Sequence, residues 1–372
     1  MDVFNSMSLR DHEQVVYLSD NRTGLRAIIA IHNTTLGPAL GGTRMWAYED
    51  EAAALKDVLR LSRGMTYKAA AAGLNLGGGK AVIIGNPKTD KNEALFRSFG
   101  RFIEGLAGRY ITAEDVGTET RDMEWVRAET KYVTGISKQL GGSGDPSPVT
   151  ALGVYMGIKA TVKEMFGTDV LTGKTIAVQG AGHVGSYLVG HLRKEGCKVY
   201  ITDIDDERVT RVVNDYGAIG VAPSELFDLD MDVYSPCALG ATVNDETIPK
   251  MKAKIIAGAA NNQLADEKKH GQMLLEKGIL YAPDYVINAG GLINVANELE
   301  GYNQEKALTQ ARSIYDLMLK IYSIARENKI PTYEAANLFA EKRLELIGGI
   351  KSVYVSKSEF SGRLGEMSGR HR

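Results

Sequence analysis

The sequence predicts an α/β chain of two domains with a cleft between them. Three observations carry that reading. At 372 residues the chain is longer than one ordinary core sustains. Short apolar runs alternate with amphipathic stretches of helical period along most of it. A run rich in glycine and proline, Gly141-Gly142-Ser143-Gly144-Asp145-Pro146-Ser147-Pro148, interrupts the alternation and reads as a hinge or boundary. The division it suggests is residues 1–135, joined by C-terminal helices from about 330 to 372, against residues 136–329.

In the first part, Leu25 to His32 reads as a strand, and Gly37 to Trp46 as an extended segment interrupted by Gly41-Gly42. Glu49-Asp50-Glu51 sets negative charge where a helix start favours it, and Leu55, Val58, Leu59 and Ser62 follow at helical spacing. The central stretch, Met65 to Gly85, is MTYKAAAAGLNLGGGKAVIIG. It places Lys68 and Lys80 twelve residues apart with almost no other charge. Gly77-Gly78-Gly79 reads as a turn whose backbone approaches a ligand, and Ala81 to Ile84 as a buried strand. Lysines are more often solvated than functional, so the pair alone leaves both readings open. Asn92 to Gly105 is a second amphipathic helix. Tyr110 to Ala113 is a short strand running into Glu114-Asp115-Val116-Gly117-Thr118. A carboxylate there suits catalysis, and equally the N-cap of a helix starting near Glu119, so Asp115 stands between the two.

In the second part a helix runs from about Val149 to Phe166. Lys174 to Gln179 is a strand leading into Gly180-Ala181-Gly182-His183-Val184-Gly185. A helix follows from Val184 to Glu195, then a strand from Lys198 to Thr202 ending on Asp203, eighteen residues beyond Gly185. In that context GxGxxG is the fingerprint of a Rossmann-type dinucleotide-binding domain. The glycines allow a tight turn and the approach of a pyrophosphate, which sits on the helix N-terminus. Asp203 is placed to accept from a ribose 2′-OH and to repel a 2′-phosphate, favouring NAD, while nearby Arg208 keeps NADP open. His183 reads as an exposed spacer.

Further strands are expected at Met231 to Tyr234, Lys254 to Ala257 and Tyr285 to Ile287. Each runs into a loop of small residues, as a cleft at the carboxyl edge of a parallel sheet requires. Cys237, in the first of those loops, lacks a basic neighbour in sequence and reads as a small residue packed near the cofactor. Leu292 to about Ile347 is helical, Gly348-Gly349 ends it, and the last twenty residues are a polar surface or subunit-contact tail.

Composition narrows the function. The net charge is −2, with no basic block for nucleic acid or a membrane surface, no apolar run long enough to span a bilayer, and no signal-peptide core. Two cysteines, Cys197 and Cys237, suggest a reducing compartment, and six histidines show no metal-ligand spacing. A cytoplasmic protein that needs no metal is expected.

The stretches GPALGGTRMW, MTYKAAAAGLNLGGGKA, YITAEDVGT, GGSGDPSPVTALGVY, SPCALGA, IIAGAANNQL and YAPDYVINAGGLINVANEL span most of the chain. Together they resemble the amino-acid dehydrogenases of the glutamate/leucine/phenylalanine/valine superfamily, nearest its leucine-acting members. The resemblance implies two domains, the first with a mixed sheet and the second of Rossmann type. It implies NAD-dependent, reversible oxidative deamination of L-leucine and other branched-chain L-amino acids to the 2-oxo acid and ammonia. Lys68 would bind the substrate carboxylate, and Lys80 and Asp115 would run the chemistry. Asn262 would hold the carboxylate near the nicotinamide. Leu40, Gly41, Gly42, Ala113, Leu292 and Val295 would complete the substrate side. Thr150, Gly180, Gly182, His183, Val184, Gly185, Asp203, Cys237, Ala238, Asn262 and Asn288 would face the cofactor. A homo-oligomer is implied, typically an octamer built by the first domain and the C-terminal helices.

Two departures stand out: Asn261 where close relatives usually have Asp, and Asp145 where they often have Asn. They touch fine affinity rather than activity. The family's glutamate-acting members carry lysine and serine where this chain has Leu40 and Val295. An apolar pocket would leave a γ-carboxylate unpaired at a cost of several kcal/mol, on the order of an unpaired buried charge. Leucine, isoleucine and valine differ by single methylenes, about 1–3 kcal/mol each, and stay unranked. Alternatives are a valine- or phenylalanine-acting member, or a non-catalytic dinucleotide-sensing oligomer, which would have no need of Lys68, Lys80 and Asp115 together.

Overall fold

The computed structural model describes residues 2–350. The expected polar tail lies outside the described residues. The chain begins with α1 (Val3–Ser8), β1 (Gln14–Asp20), β2 (Leu25–Asn33), β3 (Ala39–Trp46) and α2 (Glu51–Ala71). β4 (Gly77–Ile84), α3 (Glu93–Glu104), β5 (Tyr110–Glu114) and α4 (Thr120–Arg127) follow. After the long α5 (Ser147–Phe166) come β6 (Thr175–Gln179), α6 (His183–Lys194), β7 (Lys198–Thr202), α7 (Asp206–Tyr216) and β8 (Ile219–Gly220). Then come β9 (Val233–Pro236), α8 (Thr247–Lys250), β10 (Ile255–Ile256), α9 (Glu267–Lys277) and β11 (Leu280–Tyr281). The helices α10 (Asp284–Ile287), α11 (Gly290–Ala296), α12 (Gln304–Arg312), α13 (Ile314–Asn328) and α14 (Thr332–Gly348) finish the described chain.

Among the described residues the strands form two sheets. The first has the order β1-β2-β4-β3-β5 and is mixed: β2 is antiparallel to β1 and β4, while β3 is parallel to β4 and β5. The second has the order β11-β10-β9-β6-β7-β8 and is parallel throughout. Its order reverses at β6, between β9 and β7, and the glycine-rich turn follows that strand. In open α/β sheets this is where ligands bind.

Each sheet has its own core. Ile29, Ile31, Phe96, Phe99 and Tyr110 pack on the first, and Ile176, Val178, Val199, Ile201 and Val233 on the second. α2 is fixed by both its ends and one face. The Asp50 side chain caps it by accepting from the Ala53 N–H at 2.7 Å, and Leu55, Val58, Leu59 and Ser62 are buried against the sheet. At its far end Arg343 of α14 donates to the carbonyls of Ala70, Gly73 and Leu74 at 3.1, 3.2 and 2.7 Å. A cation on the last carbonyls satisfies both hydrogen bonding and the helix dipole. None of the helices among the described residues is long and apolar enough to cross a membrane.

Three expectations are corrected. β3 runs uninterrupted through Gly41-Gly42. Gly77-Gly78-Gly79 is not a turn but the start of β4, and the chain reverses earlier, around Gly73 with φ +74°. Tyr285 to Ile287 is not a strand. It belongs to the single turn α10, and the strand is the preceding β11. A short apolar run bounded by proline cannot by its period be told from a buried helical turn, and here Pro283 opens a helix.

Candidate active site

The glycines explain how the two lysines meet. A methyl on Gly78 would fall 2.1 Å from the Thr66 nitrogen, and one on Gly79 would fall 2.7 Å from the Tyr110 ring. Bare backbone at Gly78 lets α2 lie directly on β4, so Lys68 in the last turn of α2 comes to the face of β4 that carries Lys80, two residues on from Gly78, while Gly79 makes room for Tyr110 on the other face. Gly41 serves likewise within the sheet, since a methyl would fall 1.8 Å from the Gly79 carbonyl oxygen.

Lys80 is 6% exposed, and its Nζ lies 2.9 Å from Asp115 Oδ2. Arg44 on β3 donates from Nε to the same oxygen at 3.1 Å, and its Nη1 donates to Asp57 at 2.9 Å. The Tyr48 hydroxyl also donates to Asp57, at 2.7 Å. Asp115 is therefore no helix cap. The capping box of α4 is made by Glu119 and Asp122 instead. Burial opposes ionisation of Asp115, but Lys80 and Arg44 outweigh it and hold the carboxyl at about 2. Arg44, Tyr48 and Asp57 were not singled out from sequence. The available signal was Arg44, a lone charge inside an apolar strand.

Lys68 reaches across the cleft. Its Nζ donates to Asn261 Oδ1 at 3.2 Å, and Asn288 Nδ2 donates to that same oxygen at 2.8 Å. Burial pulls the Lys68 ammonium down to about 8, and Lys80 adds to this, against the opposing charges of Asp284 and Asp115. The side chain that meets Lys68 is thus Asn261's, not that of Asn262. Asn262 is exposed, takes a left-handed φ of +52°, and lines a separate cavity of about 300 Å³ with Arg60, Arg63 and Tyr285. Adjacent residues on a tight loop present opposite sides, and sequence alone could not rank them.

Beside the last turn of α2, Leu40, Ala69, Leu76, Ile111, Leu292 and Val295 close into one buried apolar cluster, with Met65 and Tyr132 packed around it. Leu40 and Ile111 are paired across β3 and β5, as are Gly42 and Ala113. The cluster joins the first sheet to α11.

Across the cleft the glycine-rich turn has three differently used glycines. Gly180 takes φ +114°, and a methyl there would fall 2.9 Å from Ala238 Cβ. A methyl on Gly185 would fall 2.0 Å from the Gly180 carbonyl oxygen and 3.7 Å from Cys237 Cβ. A methyl on Gly182 would meet nothing within 4 Å among the described residues other than its chain neighbours. α6 starts next to it without a side-chain cap, His183 is exposed, and Val184 is half-buried. Asp203 Oδ2 accepts from the Ala181 N–H at 2.7 Å, and Oδ1 from the Asp205 N–H at 3.0 Å, so the carboxylate is fixed beside the turn. Burial raises the Cys237 thiol above its ordinary range, which suits packing rather than reaction. Thr150 donates to the Pro146 carbonyl at 2.9 Å, and its Oγ1 would lie 2.9 Å from a methyl on Gly291. Asn288 donates to the Ala259 carbonyl at 3.0 Å, while its own Oδ1 is buried without a partner among the described residues. The open face of Gly182, the uncapped helix and the free Asn288 acceptor fit a bound dinucleotide.

A parallel sheet with this turn, facing a lysine–aspartate pair and a second lysine, defines an oxidoreductase of the amino-acid dehydrogenase class. The Glu/Leu/Phe/Val dehydrogenase dimerisation domain matches residues 12–132, and the Glutamate/Leucine/Phenylalanine/Valine dehydrogenase domain matches 141–208 and 200–345. The chain belongs to that family. It is 59% identical over 355 residues to a leucine dehydrogenase of Bacillus subtilis (strain 168), covering 95% of this chain and 97% of that one. A leucine dehydrogenase of Geobacillus stearothermophilus is 58% identical over 355 residues, covering 95% and 96%. Among solved structures, the L-tryptophan dehydrogenase from Nostoc punctiforme superposes with a TM-score of 0.82 at 48% identity, covering 92% of this chain and 99% of that one.

Proposed function

We propose that this chain catalyses the NAD-dependent, reversible oxidative deamination of L-leucine and related branched-chain L-amino acids to the 2-oxo acid, ammonia and NADH. The observation that carries the substrate class is the apolar cluster of Leu40, Leu292 and Val295 at the turn that bears Lys68. Identity to leucine dehydrogenases over nearly the full length supports it over a valine- or phenylalanine-acting reading.

In this reading Lys68 pairs with the substrate carboxylate, and the cluster takes the alkyl side chain. That two-point hold sets the α-carbon above Lys80, against the face where NAD, when bound, supplies the hydride acceptor. Lys80 activates the water that adds to the α-carbon and later polarises the carbonyl. Asp115 moves protons on and off the nitrogen. Arg44 keeps Asp115 in place. Lys80 and Arg44 both contact Asp115 Oδ2, so the lysine and the aspartate act side by side on the substrate.

The cofactor side would be Gly180, Gly182 and Gly185 at the pyrophosphate, Asp203 at the ribose, and Thr150, Cys237, Ala238 and Asn288 around the nicotinamide end. The first sheet with the returning α14 would form the substrate-binding and oligomerising part, and the match to a dimerisation domain supports a homo-oligomer, which we take to be an octamer. Two free thiols, Cys197 and Cys237, support a cytoplasmic location. The test is a steady-state screen of L-amino acids with NAD and NADP, following absorbance of the reduced cofactor. Leucine, isoleucine and valine should be turned over and glutamate refused. Inactivity on every amino acid with intact NAD binding would instead establish the sensing reading.

A further inference from the structure

We propose that Asn261 is a positioning residue that holds the Lys68 ammonium across the cleft as a neutral stand-in for a substrate carboxylate oxygen, aiming the lysine without neutralising it. The inference rests on the reading of Lys68 as the carboxylate site. It comes from three contacts. Asn261 Oδ1 accepts from Lys68 Nζ at 3.2 Å and from Asn288 Nδ2 at 2.8 Å, and Asn288 is itself anchored on the Ala259 carbonyl at 3.0 Å. Two donors converge on one atom, so the amide must present its oxygen. The lysine sits on the first sheet's helix and the asparagine after β10 of the second sheet, so the bond spans the cleft.

The choice of amide over carboxylate matters because of what else faces Lys68. Asp284 from α10 and Asp115 beyond β5 bear negative charge towards it, and Lys80 from β4 bears positive charge. A carboxylate at position 261 would add a full countercharge at hydrogen-bond distance. The lysine would then be more firmly charged yet less available, because an incoming carboxylate would have to displace an ion pair rather than one ordinary hydrogen bond. With the amide, an arriving carboxylate replaces a neutral acceptor by a charged one at the same nitrogen and gains the whole charge–charge attraction. Asn288 keeps Asn261 in place while this happens.

The experiment measures the inhibition constant of 4-methylpentanoate against leucine across pH. This probe has the carboxylate and the alkyl chain but no amine, so above its own carboxyl range only the protein titrates. In the wild type, binding should weaken above about pH 8 as Lys68 loses its proton. Asn261→Asp should weaken binding at neutral pH by roughly tenfold, about one charge-assisted hydrogen bond. It should also move the alkaline loss to higher pH, because the paired lysine holds its proton more tightly. Weaker binding with a later loss is a combination that simple disturbance of the loop does not give. Asn261→Ala should weaken binding only a few-fold and move the loss to lower pH or leave it, and it serves if the aspartate variant does not fold. Lys68→Ala is measured in parallel. If Lys68→Ala weakens the probe but Asn261→Asp changes neither affinity nor pH profile, Asn261 has no such role. If Lys68→Ala leaves the probe's affinity intact, the carboxylate reading itself falls.

Discussion

Glycine is dense in two regions of this molecule, and the two uses are opposite. In the first sheet, every position where a methyl might stand on Gly41, Gly77, Gly78 or Gly79 is already taken by protein. In the dinucleotide turn, Gly180 and Gly185 are likewise filled, but the space beside Gly182 is open. In the first set Gly78 lets a helix lie on a strand, which brings two charged side chains to one face, while Gly41, Gly77 and Gly79 admit neighbouring backbone and the Tyr110 ring. The second leaves an open space, which the proposed function gives to the cofactor. Glycine-rich text therefore marks close approach, and only the surrounding space tells whether the partner is backbone or ligand.

The proposed function gives chemistry to the first region and cofactor recognition to the second, and the strongest test separates those two. Lys80→Ala should lower turnover by roughly 10²–10⁴-fold, the scale of a lost general acid–base group, while NAD affinity measured by fluorescence titration stays within a few-fold. Comparable loss of both would erase the division of labour.

Within the first region, the apolar cluster should decide which side chain is accepted. Leu40→Lys with Val295→Ser should cut kcat/KM for leucine by roughly a hundredfold, since a new charge in that cluster costs several kcal/mol in transfer. Glutamate should become a weak substrate, limited because the shell around the new lysine is not shaped for it. A folded double variant that keeps the wild-type ratio of leucine to glutamate would show that these side chains do not face the substrate.

The glycines themselves can be exchanged for alanine in matched pairs. Gly78→Ala should destabilise the fold by about 1–3 kcal/mol or more, as overpacking does, because the new methyl meets backbone rather than a flexible side chain. Gly182→Ala should leave the melting temperature nearly unchanged and raise the KM for NAD by roughly tenfold, about the worth of one displaced hydrogen bond. Differential scanning fluorimetry and initial rates distinguish the two. Equal behaviour of the pair would sink the comparison.

Much of this was legible in the sequence, for physical reasons that vary by residue. The strand–turn–helix around Gly180 to Gly185 is local, so its meaning travels with its text. Lys68 and Lys80 stand out in the local text as two lysines in apolar surroundings, but their roles and the positions Leu40, Leu292 and Val295 came only through family resemblance, because positions 40 and 295 meet through tertiary packing that no local period encodes. The triple glycine was misread as a turn because backbone freedom and backbone crowding both select glycine. Asp115 could not be separated from a helix cap until the capping box of α4 was seen to be made by Glu119 and Asp122, with Lys80 and Arg44 on the Asp115 carboxylate. Asn261 and Asn262 are chemically identical neighbours, and only the loop's path decides which one faces Lys68.

The smallest expected effect concerns Asp203, and it probes the second region alone. In the structure its carboxylate is committed to the Ala181 and Asp205 N–H groups, yet it keeps lone pairs for a ribose hydroxyl. Asp203→Ser keeps one acceptor for the turn and removes the charge. The repulsion it lifts from a 2′-phosphate is about 1–4 kcal/mol for charges near 4 Å, between the limits of bulk water and a protein surface. Screening by salt at this partly exposed position pulls the outcome towards the lower limit. The ratio of kcat/KM for NADP over NAD should therefore rise roughly five- to tenfold, about 1 kcal/mol, mostly through a lower KM for NADP. Arg208 is held by Asp205 at 3.0 Å, so it adds little until that pair is broken. The double change Asp203→Ser with Asp205→Ala frees the guanidinium and should raise the ratio further. If neither variant shifts the ratio while both bind NAD, the ribose lies elsewhere and the open face of Gly182 belongs to some other ligand.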